Sequence, residues 1–164
     1  MKIKKGSQMA RRTLLQTGGV VAGAGAMAQI GRSKSSGNNN KKVIQSPKAA
    51  APVGPYSQGI QTGNLIFVAG EKGLDAKTGK IVPGGIEAET RQALENIKAI
   101  LAAGGASMDD AVSSTVHMTD LKEFARMNEV YAEYFRQAPP VRTTVQVSGL
   151  PAGAHIEITI TAAV

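Results

Sequence analysis

Two stretches of the chain repeat apolar residues at helical spacing, and the segments around them read as strands. Apolar residues at 86, 93, 94, 97, 100 and 101 form one stripe that stops at Gly104-Gly105, which predicts a helix over residues 86–103 closed by glycine. A second stripe, Leu121, Phe124, Met127, Tyr131, Tyr134 and Phe135, predicts another helix and places Asn128 beside its buried face. Asp120 stands at its start as an N-cap, with Glu123 three residues on as in a capping box. Pro139 and Pro140 cannot continue that helix and aim the chain into a strand over residues 141–147, with Arg142 at its mouth. Strict alternation over residues 156–161 puts Glu157, Thr159 and Thr161 on one face of a last strand and the isoleucines on the other. Upstream, Gly63-Asn64 separates residues 58–62 from the apolar run 65–69 as a hairpin turn would, residues 75–85 are a Gly/Pro loop, and residues 112–118 are a strand. The order β-β-α-β-α-β-β describes an α/β domain whose two helices cover one face of a mixed sheet. No third helix remains for the other face, so self-association is the natural cover.

The pattern changes in front of this domain. Residues 1–28 read as an export signal: Lys2, Lys4, Lys5, Arg11 and Arg12 precede a weakly apolar, Gly/Ala-rich segment with small-residue cleavage sites near its end. Arg11-Arg12-Thr13-Leu14-Leu15 resembles a twin-arginine signal, which implies a periplasmic destination. The apolar run is too short and glycine-rich to span a bilayer stably. Residues 29–48 are a polar linker, leaving residues 49–164 as the domain.

The formal charge of +7 does not mark a nucleic-acid binder, because it is confined to the front of the chain. Residues 1–48 hold ten Lys or Arg and no acid; residues 49–164 hold nine Lys or Arg against twelve Asp or Glu, a balance of −3. A phosphate-binding domain needs a cationic surplus that this one lacks. There is no cysteine, hence no disulfide, thiolate nucleophile or Cys-type zinc site. His117 and His155, the only histidines, lie on different segments without carboxylates at ligand spacing, and read as ordinary strand histidines. No Gly-x-Ser-x-Gly elbow, P-loop or dinucleotide fingerprint is present, so no cofactor is implied.

Tyr56, Arg142, Glu157 and Asn128 remain as candidate chemistry. Arginine offers a planar fork of donors for a carboxylate, and glutamate can hold a water or move a proton. Together they suit hydrolysis of a small carboxylate-bearing substrate. The plainer reading is a surface ion pair for Arg142, worth about 0–1 kcal/mol, and simple solvation for Glu157.

The segments Gly54-Pro55-Tyr56-Ser57-Gln58-Gly59, Ala69-Gly70, Arg91-Gln92-Ala93-Leu94-Glu95-Asn96-Ile97, Asn128-Glu129-Val130-Tyr131 and Pro140-Val141-Arg142-Thr143-Thr144, continuing through Leu150-Pro151 to Ile156-Glu157-Ile158, resemble the Rid (YjgF) family of reactive intermediate deaminases over about residues 43–164. The resemblance implies a chorismate-mutase-like fold, assembled as a homotrimer around a central barrel with three clefts between subunits. It also implies cofactor-free hydrolysis of 2-imino acids, formed from enamines, to 2-keto acids and ammonia. By motif, Arg142 would clamp the substrate carboxylate, Glu157 would position water or relay a proton, and Tyr56 would line the cleft from a neighbouring subunit; Asn128 and the backbone at Gly70 and Thr144 would complete the pocket. Three positions depart from the archetype: Ala69 replaces a serine, Thr144 a cysteine and Glu71 a glutamine. A trimeric small-carboxylate-binding or chaperone-like module is the alternative from another class. RNA cleavage, also attributed to family members, is disfavoured by the domain's charge balance and the lack of a suitable histidine pair.

Overall fold

The computed structural model of the chain describes residues 40–164; the expected signal (residues 1–28) and residues 29–39 lie outside them. Seven strands form one mixed sheet: β1 (Lys42–Ile44), β2 (Gly59–Thr62), β3 (Leu65–Val68), β4 (Glu71–Lys72), β5 (Ala111–Met118), β6 (Val141–Gln146) and β7 (Ile156–Ala163). Their order is β1-β2-β3-β7-β5-β6, with β4 continuing beside β7 past the end of β3. All pairings are antiparallel except β5 with β6. Helices α1 (Gly85–Ala103) and α2 (Phe124–Tyr134) supply the second layer. The mixed sheet with two helices agrees with the sequence reading, and two short strands, β1 and β4, are additions to it. β1 falls within the stretch read as linker, because Ile44 finds a place in the core that its polar neighbours do not announce.

The alternation in β7 is expressed in full. Ile156, Ile158, Ile160 and Ala162 are wholly buried beneath the helices, while Glu157, Thr159 and Thr161 occupy the other face. Helix α1 buries Ile86, Ala93, Leu94, Ile97, Ile100 and Leu101 against this surface. It ends at the expected glycines in a Schellman motif: Ala106 N–H bonds to Leu101 O (2.9 Å), Gly105 N–H to Ala102 O (3.1 Å), and Gly105 takes a left-handed φ of 84°.

Helix α2 departs from expectation at its start. Asp120 caps a 3₁₀ turn over Leu121–Glu123, accepting from Lys122 N–H at 2.8 Å. The capping box does not close, since the Glu123 carboxylate accepts from Arg126. Leu121 and Phe124 are exposed, not core, and only Met127, Val130, Tyr131 and Phe135 reach the interior. The stripe marks a helical face correctly, but the first turn overhangs the layer it was expected to bury in.

Polar side chains inside the fold act as staples. Gln58 is buried, and its amide nitrogen donates to the carbonyls of Ser46 (3.1 Å) and Ala50 (2.8 Å) while its oxygen accepts from Ser46 N–H (2.7 Å), pinning the entry segment. Asn96 on α1 donates to Lys72 O (3.2 Å) and Leu74 O (2.9 Å), fixing β4 against the helix. Both follow the rule that a buried amide keeps its hydrogen bonds.

A third staple predicts a pH effect. Glu89 on α1 is buried and its carboxylate accepts from His155 N–H (2.8 Å) and from His155 Nδ1 (2.5 Å), tying the turn before β7 to the helix. The hydrogen bond that the His155 ring donates to the Glu89 carboxylate, with the charge of that carboxylate, raises the His155 pKa above 6.5. A histidine raised on folding gives stability that is complete below its unfolded value and lost as pH rises through the folded one. In urea unfolding, the gap between wild type and His155→Ala is expected to be widest below pH 6.5 and to narrow as pH rises through the raised value. A gap independent of pH would show that the imidazolium charge contributes nothing.

No helix covers the second face of the sheet among the described residues. Exposed on it are Val141 (73%), Val43 (59%), Phe67 (44%) and Val145 (39%), among threonines 115, 143, 159 and 161. No helix of the described residues is long and apolar enough to cross a membrane.

Candidate functional site

Arg142 and Glu157 come from strands adjacent in sequence but not in space, because β5 runs between β6 and β7. The register also separates them by face. Arg142 stands opposite Ser114, which is buried on the helix side, whereas Glu157 stands opposite His117 on the uncovered side. The chain therefore presents two separate groups of residues.

The first group lies between β6 and α2. The Arg142 guanidinium sits 4.5 Å from the centre of the Tyr131 ring and 5.6 Å from that of Phe124. Aromatic faces attract a guanidinium and hold it flat without occupying its donors. None of the ion pairs among the described residues involves Arg142. It opens, with Asn128, Tyr131, Ala132, Phe135, Pro139 and Pro140, onto a cavity of about 480 Å³. Pro139 and Pro140 end the segment after α2 and set the direction in which β6, and with it Arg142, enters the sheet. Behind the arginine, the hydroxyls of Ser114, Tyr131 and Thr144 are buried without a hydrogen-bond partner of normal geometry. Burial pushes the Tyr131 phenol above its ordinary value, and the nearby Ser114 hydroxyl and Arg142 charge pull it partly back.

The second group lies on the uncovered face, where β4 pairs with β7 and Lys72 stands opposite Glu157. Lys72 Nζ reaches Glu157 Oε2 at 3.1 Å and Gly70 O at 3.2 Å. His117 Nδ1 lies 3.8 Å from Glu157 Oε1. Gly70 makes room for the carboxylate: a side chain there would put its first carbon 2.7 Å from Glu157 Cδ and Oε1. On the helix side of β4, Glu71 is pushed up to about 7, chiefly by burial, with the Lys72 charge lowering it and the Glu157 charge raising it.

Tyr56 joins neither group directly. Its ring is exposed, and its hydroxyl accepts from Val53 N–H at 3.2 Å. Since Ala69 N–H donates to Gln58 O (2.8 Å), the Tyr56 loop nevertheless enters at the sheet end that carries Gly70 and Glu157. The structure thus brings Arg142 and Asn128 together at one cavity, with Thr144 two residues further along the same face of β6, and separately Gly70 and Glu157. A larger cavity of about 540 Å³, between residues 46–48 and α1, gathers none of these residues.

Sequence reasoning misses two participants. Lys72 escapes it because its partner is 85 residues away. His117 reads as an ordinary strand histidine but lies beside Glu157, whereas Tyr131 is core, as its spacing predicts, and also carries the arginine. A usable signal existed for Lys72: a lysine beside the apolar run 65–69 must bury its stem and find a counter-charge if the strand continues.

The chain resembles known proteins along the same residues. The family model for endoribonuclease L-PSP matches residues 46–164. A RutC family protein of Pyrococcus horikoshii is 53% identical over 118 residues, covering 72% of this chain and 94% of the relative. The mouse (Mus musculus) 2-iminobutanoate/2-iminopropanoate deaminase is 42% identical over 118 residues, 72% of this chain and 87% of its own. Among solved structures, E. coli TdcF with bound serine superposes with a TM-score of 0.72 at 40% identity, covering 75% of this chain and 98% of that one. With the match spanning six of the seven strands, both helices and every residue of both groups, the chain belongs to the endoribonuclease L-PSP family, which includes the RutC and Rid proteins.

Proposed function

We propose that the protein is a cofactor-free deaminase that hydrolyses 2-imino acids, formed from enamines, to 2-keto acids and ammonia. The observation that carries this reading is Arg142: a guanidinium held against two aromatic rings, in no ion pair among the described residues, at the mouth of a cavity. Such a group is prepared for a carboxylate, which it binds through two parallel charge-assisted hydrogen bonds. The mouse relative's name as an imino-acid deaminase and the serine bound to E. coli TdcF fit a small carboxylate-bearing ligand.

An imine carbon is already electrophilic, so the protein need only orient the substrate, place a water and move protons. Water adds to the carbon as the C=N π pair moves to nitrogen, and Glu157 passes the water's proton to that nitrogen. The resulting carbinolamine then gives up its hydroxyl proton through Glu157 to the amine. The C–N bond breaks, ammonia leaves and the C=O bond forms.

Arg142 and Glu157 point from opposite faces of one sheet, so a site using both takes them from different copies. We therefore assign the functional unit as an assembly of copies, taken as the homotrimer that the resemblance to the Rid family implies, each cleft combining Arg142, Asn128 and Thr144 of one subunit with the Glu157, Gly70 and Tyr56 region of its neighbour. The exposed Val43, Phe67, Val141 and Val145 on the uncovered sheet face support that assembly, since a water-facing apolar patch gains by burial. Export by a twin-arginine signal rests on Arg11-Arg12 and the apolar run after it. It would place the enzyme where imines arrive from outside the cytosol.

The test is ammonia release from imines generated in situ by an amino-acid oxidase, with wild type beside Arg142→Ala. Equal rates in the two would sink the proposal. A second expected result concerns Gly70→Ala. The added carbon meets the Glu157 side chain and no backbone, so the fold survives, but the carboxylate must move against its buried partner Lys72 and the thermal midpoint should fall measurably. Displacing the carboxylate by about 1 Å should also slow the reaction about tenfold or more. A variant as fast as wild type would show that Glu157 placement does not limit the rate.

A further inference from the structure

The reaction proposed above demands most of Glu157, and the groups around that carboxylate are arranged unequally on its two oxygens. Oε2 accepts from Lys72 Nζ at 3.1 Å. Oε1 has no hydrogen-bond partner among the described residues; it lies over the bare Cα of Gly70, with His117 Nδ1 3.8 Å away. The lysine side chain is only 8% exposed and the glutamate 22%. A lysine so deeply placed is rare unless paired, and here it has two acceptors, Glu157 and the Gly70 carbonyl. It cannot leave without stranding a charge, so the ammonium is a fixed part of the site.

The position is set by the fold. Asn96 on α1 holds the Lys72 carbonyl at 3.2 Å, and β4 pairs with β7 so that residues 72 and 157 face each other. Further titratable groups bear on the carboxylate from the elements packed around β7: Glu71 on β4 and His117 on β5. Strand β3, the remaining neighbour on that sheet, offers only Leu65, Ile66, Phe67 and Val68.

We infer that Lys72 is a positioning residue for the hydrolysis: it locks Glu157 in one rotamer, so that Oε1 alone is left to take the proton of the attacking water. This rests on the deaminase reading for its chemistry, but the clamp itself can be tested without it. A charge-assisted hydrogen bond from an ammonium holds a carboxylate more firmly than a neutral donor would, and here the ammonium is itself held by the Gly70 carbonyl.

The experiment compares wild type, Lys72→Met and Lys72→Arg. Two readouts are used: kcat and KM for imine hydrolysis, and the ¹³C NMR signal of the Glu157 carboxyl at one fixed pH, assigned with Glu157→Gln. In Lys72→Met kcat should fall about tenfold while KM for the imine changes less than about twofold, and the Glu157 carboxyl signal should be displaced. Lys72→Arg keeps the charge and should restore most of both. An unchanged kcat in Lys72→Met, or a Glu157 signal that superposes on wild type, overturns the proposal. If wild type hydrolyses no imine, the deaminase reading falls, and the clamp is decided by the carboxyl signal alone: a signal displaced in Lys72→Met and restored in Lys72→Arg sustains it and an unmoved one refutes it.

Discussion

Arg142→Ala is expected to lower kcat/KM for imine hydrolysis about 100-fold, or roughly 3 kcal/mol of transition-state stabilisation, with most of the loss in KM. The guanidinium makes no ion pair among the described residues, so its removal strands no buried carboxylate. What the fold loses is the stacking on Tyr131 and Phe124, at about 0.5–1 kcal/mol. The activity loss should therefore far exceed any fall in stability. Arg142→Lys separates charge from shape: an ammonium keeps the attraction but not the planar fork, and should recover only part of the loss. Steady-state kinetics beside urea unfolding would decide it. An Arg142→Ala variant that unfolds early and binds substrate normally would move Arg142 from the site to the scaffold.

Gly73→Ala is expected to cost about 4 kcal/mol of folding stability, the largest structural effect of any single substitution considered. A methyl at residue 73 would lie 2.5 Å from Glu89 Cα and 2.7 Å from its Cβ, so the obstacle is helix backbone that cannot rotate away. Helix α1 would have to retreat from β4, at roughly 1–3 kcal/mol for overpacking. The same movement loosens the Glu89–His155 and Asn96–Leu74 hydrogen bonds, whose buried groups cost about 1–3 kcal/mol when left unmade. Against a domain stability of about 5–15 kcal/mol that is a large fraction. The urea midpoint should fall with an unchanged slope. Gly149→Ala, where an added carbon meets nothing within 4 Å, serves as control and should stay within about 0.5 kcal/mol of wild type. Equal midpoints for the two variants would show that the β4–α1 contact is not tight in solution.

These two glycines mark the limit of what could be read beforehand. Gly104 and Gly105 were legible as a helix stop because the apolar stripe ends there, and the Schellman bonds follow. Gly70 and Gly73 stand in the same kind of sequence, yet one leaves space for a carboxylate and the other for a helix backbone. Nothing local distinguishes them. Phe124 illustrates the reverse error: helical spacing placed it in the core, whereas it lies exposed beside Arg142. Spacing reports which residues share a face, and says nothing of where the covering layer stops.

The sequence by itself determined the α/β class, the two helices, the hairpin and the alternation of β7, and its resemblance to the Rid family nominated Tyr56, Gly70, Asn128, Arg142, Thr144 and Glu157 as site candidates. These are properties of local backbone preference, periodic burial and motif, all carried within a few residues of one another. Only the tertiary structure decided that β5 lies between Arg142 and Glu157, that the two face opposite ways, and that Glu157 is clamped by Lys72 across 85 residues of chain. Strand order and register are settled by which faces can be buried together, and a strand's sequence does not name its neighbour. That is why an acid that looked isolated in the sequence is, in the folded protein, half of an ion pair.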